Sequence, residues 1–191
     1  MPRRSAPVIA PGLGSTTQPT LATPDGELLL RPFRPGDADP VFRVYQDPAV
    51  RRWHDRTMSS VDEAREWCAA TATKWAADDR AEWAVTATSD DELLGRVTVR
   101  SWNLHEGLAT VGYWVAPEAR GRRIATRALE TAVAWAFEVG FHRLELDHAT
   151  GNTASCRVAE KTGFQLEGTL RSAALHEEGW LDMHLHARIA D

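Results

Sequence analysis

Apolar and polar positions along this chain follow two periods, and the chain switches between them several times. Strand-like runs lie at Leu28 to Phe33, Trp83 to Thr88, Leu93 to Trp102 and Glu106 to Val115. Helical spacing places Val61, Ala64, Trp67, Cys68, Thr71 and Trp75 on one face. It returns at Ile124, Ala128, Leu129, Ala132, Trp135 and Ala136, and Gly140 ends that helix. Asp37 is placed to cap a helix running to about Gln46, a short helical piece follows Asp47-Pro48, and Ser59 or Ser60 caps the long helix after it. Later come a short strand at Leu144 to Leu146, a helix from Asn152 or Thr153 to Gly163, and a closing hairpin of Phe164 to Leu175 with Trp180 to Ile189. The order predicts an α+β domain: a mixed, mainly antiparallel, seven-stranded sheet flanked by helices. Residues 1–25, rich in Pro, Thr, Ser and Gly and without periodicity, read as a disordered or loosely packed tail, and residues 26–191 as a single domain.

Composition narrows the function classes. The 191 residues are 43% hydrophobic and 26% charged, enough for one domain with a proper core. A net charge of −5 argues against a nucleic-acid partner. Two cysteines, Cys68 and Cys156, without metal spacing, fit a reducing, cytoplasmic setting. No run approaches the roughly 20 apolar residues that span a bilayer, and Pro7 and Pro11 interrupt any signal-like stretch, so no membrane association is expected.

The most informative stretch is Arg120-Gly121-Arg122-Arg123-Ile124-Ala125, between the strand-like run ending Tyr113-Trp114-Val115 and a helix starting near Arg122. A basic turn opening a helix aims several backbone N–H groups, the helix dipole and full side-chain charges at one spot, which suits pyrophosphate. The bland alternative is a polar loop opening a surface helix. The P-loop pattern and the dinucleotide Gly pattern are both absent.

The segment Val115 to Leu129 resembles the acetyl-CoA motif Q/R-x-x-G-x-G/A of the GNAT acetyltransferase superfamily: Arg120 and Ala125 match its ends, and Arg123 stands where the inner Gly is usual. The segment Ala149 to Gly168 resembles the N-x-x-S…E-K-x-G-F-x-x-E-G signature of the Rim-type branch, which includes ribosomal-protein N-terminal acetyltransferases, through Asn152, Ser155, Glu160-Lys161, Gly163-Phe164 and Glu167-Gly168. Leu30-Arg31-Pro32, Asp47-Pro48 with Arg52-Trp53, and Gly112-Tyr113-Trp114-Val115 agree, so the resemblance covers roughly residues 28 to 189.

The resemblance implies the GNAT fold and transfer of an acetyl group from acetyl-CoA to a primary amine by direct attack in a ternary complex. The acceptor is a protein N-terminal α-amine or a small-molecule amine. The alternative is a module of the same fold that binds coenzyme A without turnover. The cofactor residues implied are Trp114, Val115, Arg120, Gly121, Arg122, Arg123, Ile124, Ala125, Thr126, Asn152 and Ser155, with Arg123 at helical φ and its side chain turned away or toward the 3′-phosphate. A bulge at Gly112 would part its strand from the parallel neighbour, and the N–H groups of Tyr113 to Val115 would then face the thioester carbonyl. Ser155 is the candidate proton donor to the leaving thiolate, with no tyrosine expected near its helix. The strand carries Thr110 where relatives commonly have Glu, which leaves the base open among Glu106, His54, His176, Asp182, His184 and a water. His184 and His186 share a strand face, but no third ligand has a motif-like place, so no metal is expected. Most of the eight tryptophans read as core, with Trp53 and Trp180 as candidate walls of an acceptor pocket. Monomer and homodimer both fit.

Overall fold

Eight strands form one sheet in a computed structural model that describes residues 5–54, 56–177 and 179–190. In chain order they are β1 (Leu21–Ala22), β2 (Leu28–Pro32), β3 (Ala81–Ala87), β4 (Leu93–Asn103), β5 (Leu108–Val115), β6 (Arg143–Ala149), β7 (Gln165–His176) and β8 (Gly179–Ile189). They lie side by side in the order β1-β2-β3-β4-β5-β6-β8-β7. The helices are α1 (Ala38–Gln46), α2 (Pro48–Trp53), α3 (Val61–Ala76), α4 (Ile124–Glu138) and α5 (Thr153–Lys161). Every neighbouring pair of strands is antiparallel except β5 and β6. The mixed, mainly antiparallel α+β architecture is as expected, with one strand more than seven.

The extra strand, β1, lies in the stretch expected to be loose. Residues 5–25 instead form a strap against the domain. Ile9 is buried, and its N–H donates to Leu104 O. The N–H groups of Gly12 and Gly14 donate to the Asp78 carboxylate at 2.6 and 2.5 Å. The indoles of Trp75 and Trp83 donate to Thr16 O and Pro19 O, and the Gln18 amide donates to Glu82 O. Gly14 is obligatory, since a Cβ there would lie 1.9 Å from Trp75 O. Periodicity is missing because each partner is taken singly, so composition alone gives no sign of the attachment.

The core explains most tryptophans. Trp75, Trp83, Trp102 and Trp135 meet edge-on or tilted, with Phe141 against Trp102. β3 is buried along nearly its whole length, and α4 packs on β4 and β5. Ser60 caps α3 by accepting from Glu63 N, and Glu63 accepts from Ser59 N in return. Asp37 precedes α1 but does not cap it with its side chain. Its carboxylate takes two hydrogen bonds from Arg31, at 2.8 and 2.9 Å, and one from Arg34 N. The buried Arg31 guanidinium outcompetes the helix end for that carboxylate.

β5 and β6 pair only from Leu108–Thr110 to Arg143–Glu145. Beyond that point β5 runs on to Val115 and β6 to Ala149 without pairing each other, so the sheet opens between them. The expected bulge at Gly112 is not the cause: Gly112 sits in regular register opposite Thr98. The register shift lies in β4 between Arg100 and Asn103, where Ser101 has φ +57°.

Candidate active site

The opening between β5 and β6 forms a cleft of about 980 Å³. Among its lining residues are Tyr113, Trp114 and Val115 from β5, Arg120, Gly121 and Arg123 from the turn, Ile124, Ala125 and Thr126 from α4, and Asn152 and Ser155 at the start of α5. These residues, from three separate stretches of the chain, therefore share one cavity. Arg122 is the exception: it is exposed and lies outside the lining.

The turn has the backbone of an anion cradle. Gly121 has φ +79°, and a Cβ there would meet nothing within 4 Å, so the conformation rather than space demands glycine. Arg123 is the N-cap of α4 at φ +58°, in the left-handed region and not helical as expected. Its position in the motif still requires the geometry that glycine adopts freely, and an arginine holds it at a cost. The first N–H groups of α4 have no capping side chain, and Ile124 to Thr126, which carry them, line the cleft.

Arg120 reaches away from the turn to the corner between α1 and α2. Its guanidinium donates to Asp47 at 2.6 Å, and the same carboxylate accepts from the N–H groups of Ala49 and Val50 to cap α2. The Arg120 hydrogen bond holds Asp47 below its ordinary carboxylate pKa, helped by those two backbone bonds.

Asn152 caps α5 by accepting from Ser155 N at 3.1 Å. Ser155 Oγ and Tyr113 Oη are 2.7 Å apart. A tyrosine hydroxyl does therefore come to this helix, against the sequence expectation, because β5 and α5 face each other across the opening. Only the pairing of distant segments reveals it. Burial pushes the Tyr113 phenol up to about 12, against the Ser155 hydrogen bond. At neutral pH it is a neutral donor.

The candidate bases separate by position. His54 and His176 line the cleft. A second pocket of about 450 Å³ adjoins it, sharing Trp53, Ala149 and His176, and also contains Asp182. Glu106 lies in the loop before β5, bonded to Asn103, and is not part of the cleft lining. Trp53 walls both cavities, whereas Trp180 is 64% exposed and lines neither. The sequence reading overlooked Glu82, which is 2% exposed and takes two hydrogen bonds from Arg96 at 2.5 and 3.0 Å on the cleft wall. The signal was available: a carboxylate amid Ala81, Trp83, Ala84 and Val85 needs a partner. His148, which burial holds below its ordinary pKa, also lines the cleft and was overlooked.

A sheet opened between two parallel strands, with an anion-binding turn and a helix N-terminus at the mouth, is the arrangement that the resemblance to the GNAT acetyltransferases implies. Comparison with known proteins agrees. Residues 27–165 match the model of the acetyltransferase (GNAT) domain, and the chain belongs to that family. It is 30% identical to the ribosomal-protein-serine acetyltransferase of Escherichia coli K12 over 53% of this chain and 58% of that protein. Its fold is similar to that of Mycobacterium smegmatis RimJ in complex with CoA-disulfide, with a TM-score of 0.80, 27% identity and coverage of 90% and 86%. It is also similar to that of RimL, a ribosomal L7/L12 α-N-protein acetyltransferase in complex with coenzyme A, with a TM-score of 0.83, 18% identity and coverage of 91% and 99%. The chain is thus an acetyl-CoA-dependent N-acetyltransferase of the GNAT family, and it is similar to Rim-type members of that family. No helix among the described residues is long and apolar enough to cross a membrane.

Proposed function

We infer that the chain acetylates the α-amine of a protein N-terminus by direct attack on acetyl-CoA in a ternary complex. The observation that carries this is the adjacency of two open cavities: the cleft at Tyr113 and Ser155 shares Trp53, Ala149 and His176 with the second pocket, between α2 and the β7–β8 turn. An extended acceptor fits such an open path, whereas a small amine needs a closed one. The similarity to a ribosomal-protein-serine acetyltransferase points the same way.

Three stretches of the chain divide the work. The turn from Arg120 to Thr126 holds the diphosphate of the co-substrate through main-chain N–H groups and the dipole of α4. The β6-facing edge of β5 beyond Thr110 is unpaired by β6, and its N–H groups at Tyr113 and Val115 are available to the carbonyl oxygen that gains charge during attack, whereas that of Trp114 points to β4. Ser155 donates a hydrogen bond to the departing sulfur. Neither hydroxyl surrenders its own proton: the Tyr113 phenol, at about 12, lies well above an ordinary thiol, and a serine hydroxyl is less acidic still. The Tyr113 hydroxyl donates to Ser155 Oγ and leaves the serine O–H free to turn toward the sulfur, so the thiolate departs hydrogen-bonded and takes its proton from solvent. His54, His176 or a water between them takes the amine proton, since both side chains line the path to the second pocket.

The test is a turnover assay with acetyl-CoA against a panel of N-terminal peptides and small amines. Peptides with free α-amines should be acetylated, and the same peptides with blocked amines should not. Turnover confined to small amines would reverse the acceptor assignment. Coenzyme A binding without turnover on any amine would leave only the binding module.

A further inference from the structure

Behind the cleft, three imidazoles and a thiol converge from three elements. His148 comes from β6, His184 and His186 from β8, and Cys156 from α5, one residue after Ser155. One nitrogen or sulfur donor from each lies within 4.8 Å of all the others. Four ligands around a tetrahedral zinc stand roughly 3.3–3.8 Å apart, given bonds of about 2.0–2.1 Å to nitrogen and about 2.3 Å to sulfur. Closing the set thus requires shifts of about 1 Å or less, and His184 and Cys156 are only partly buried.

The surroundings favour coordination over a plain hydrogen-bonded cluster. His148 Nδ1 lies 2.9 Å from Ala149 O, and only an N–H can satisfy that carbonyl. The tautomer is thereby set, and Nε2 carries the lone pair that faces the cluster. His186 Nε2 stands 3.2 Å from it. The Nδ1 atoms of His184 and His186 are buried with no hydrogen-bond partner among the described residues. Cys156 Sγ has one weak contact, to Glu160 at 3.6 Å. The pairing of β6 with β8 sets His148 directly opposite His184, and Leu146 opposite His186, so the histidines come together through strand register and not sequence spacing.

We propose that His148, His184, His186 and Cys156 form a binding site for one zinc-type divalent transition-metal ion. Three imidazoles and a thiolate suit such an ion and not a hard oxygen-seeking cation. Four protein donors make the site a closed, structural one. The bound ion ties the first turn of α5 to β6 and β8, and so fixes the helix that carries Ser155. Binding releases the Cys156 proton to solvent.

Untagged protein, stripped with a chelator and titrated with Co2+, provides the test. One Co2+ per chain should give the intense visible absorption of tetrahedral geometry together with a near-ultraviolet thiolate-to-metal band. Cys156→Ser should remove the thiolate band, and His186→Gln should cut affinity at least about a hundredfold. Zinc should displace the cobalt and raise the melting temperature of the native chain by more than that of Cys156→Ser, which keeps only the three imidazoles. Cys156 lies on a partly exposed helix face, so its replacement keeps the test clear of folding failure. Absorption no greater than that of hydrated Co2+ overturns the proposal, as do spectra unchanged in Cys156→Ser. None of these readings depends on acetyl transfer.

Discussion

At the scale of single residues, Ser155, Tyr113 and Arg123 separate contact from chemistry. Replacing Ser155 with alanine keeps the Asn152 cap, because the cap uses Ser155 N and not its hydroxyl. Cofactor affinity should therefore hold while kcat falls about a hundredfold, the scale of one lost hydrogen bond to charge that develops in the transition state. Equal loss in affinity and turnover would make Ser155 a binding contact only. Tyr113→Phe leaves the backbone in place and deletes one hydrogen bond, so kcat should drop about tenfold, equivalent to ~1.4 kcal/mol. The phenol also leaves a pH signature. Its folded-state pKa, about 12, lies above the ordinary tyrosine value of about 10, so the stability that comes from keeping it neutral is complete below pH 10 and lost as pH rises toward 12. Ultraviolet titration should show both tyrosines ionising late, because burial also raises Tyr45, and Tyr113→Phe should halve that late change. Arg123→Gly should raise stability by about 0.5–1 kcal/mol, because glycine enters the left-handed region without the Cβ clash. Denaturant unfolding measures that gain, and a fall in midpoint would mean that the arginine side chain earns its place by contacts. The sequence exposed Arg123 as a departure from its motif but not the sign of its φ, since motif spacing carries no dihedral.

At the scale of elements, the join between turn and helix α2 is the point to probe. Asp47 caps α2 and clamps Arg120 with one carboxylate. Asp47→Ala should cost about 1–2 kcal/mol through the lost cap. It should also weaken coenzyme A binding, because Arg120 loses the anchor that steadies its turn. Calorimetry with coenzyme A separates the two effects. Since the folded-state pKa of Asp47 is depressed, its contribution is present above the ordinary carboxylate range and lost as pH falls through it. Much of this scale could be read from sequence. The periodic faces of α3 and α4, the capping serine at 60 and the glycines after α4 and α5 all act locally, within a turn or two. What could not be read depends on pairing at a distance: the meeting of Tyr113 with Ser155, the partner of Glu82, and the displacement of the irregularity from Gly112 to Ser101. Strand register creates all three, and no local pattern encodes it.

At the scale of the whole molecule, the strap of residues 5–25 stands out. It lies before residue 27, where the family match begins, yet it supplies partners to Trp75, Trp83 and Asp78 and places Ile9 in the core. Removing residues 1–20 should leave two indole N–H groups and one carboxylate without those partners and open apolar surface. Each orphaned buried donor costs about 1–3 kcal/mol, so the loss should exceed about 3 kcal/mol. Thermal unfolding of the shortened chain measures it, and a melting temperature within a degree or two of the full chain would show the strap to be ornamental. The family motifs and the overall sheet were legible because they recur in many chains. The strap was not, because its glycines and prolines serve this particular surface.

The strap also bears on the timing of synthesis. Ile9, Gly12 and Thr16 emerge from the ribosome long before Trp75, Asp78 and Leu104, the residues on which they rest. Until about half the polypeptide has been made, this opening stretch has nowhere to lie, and its docking belongs among the late events of maturation.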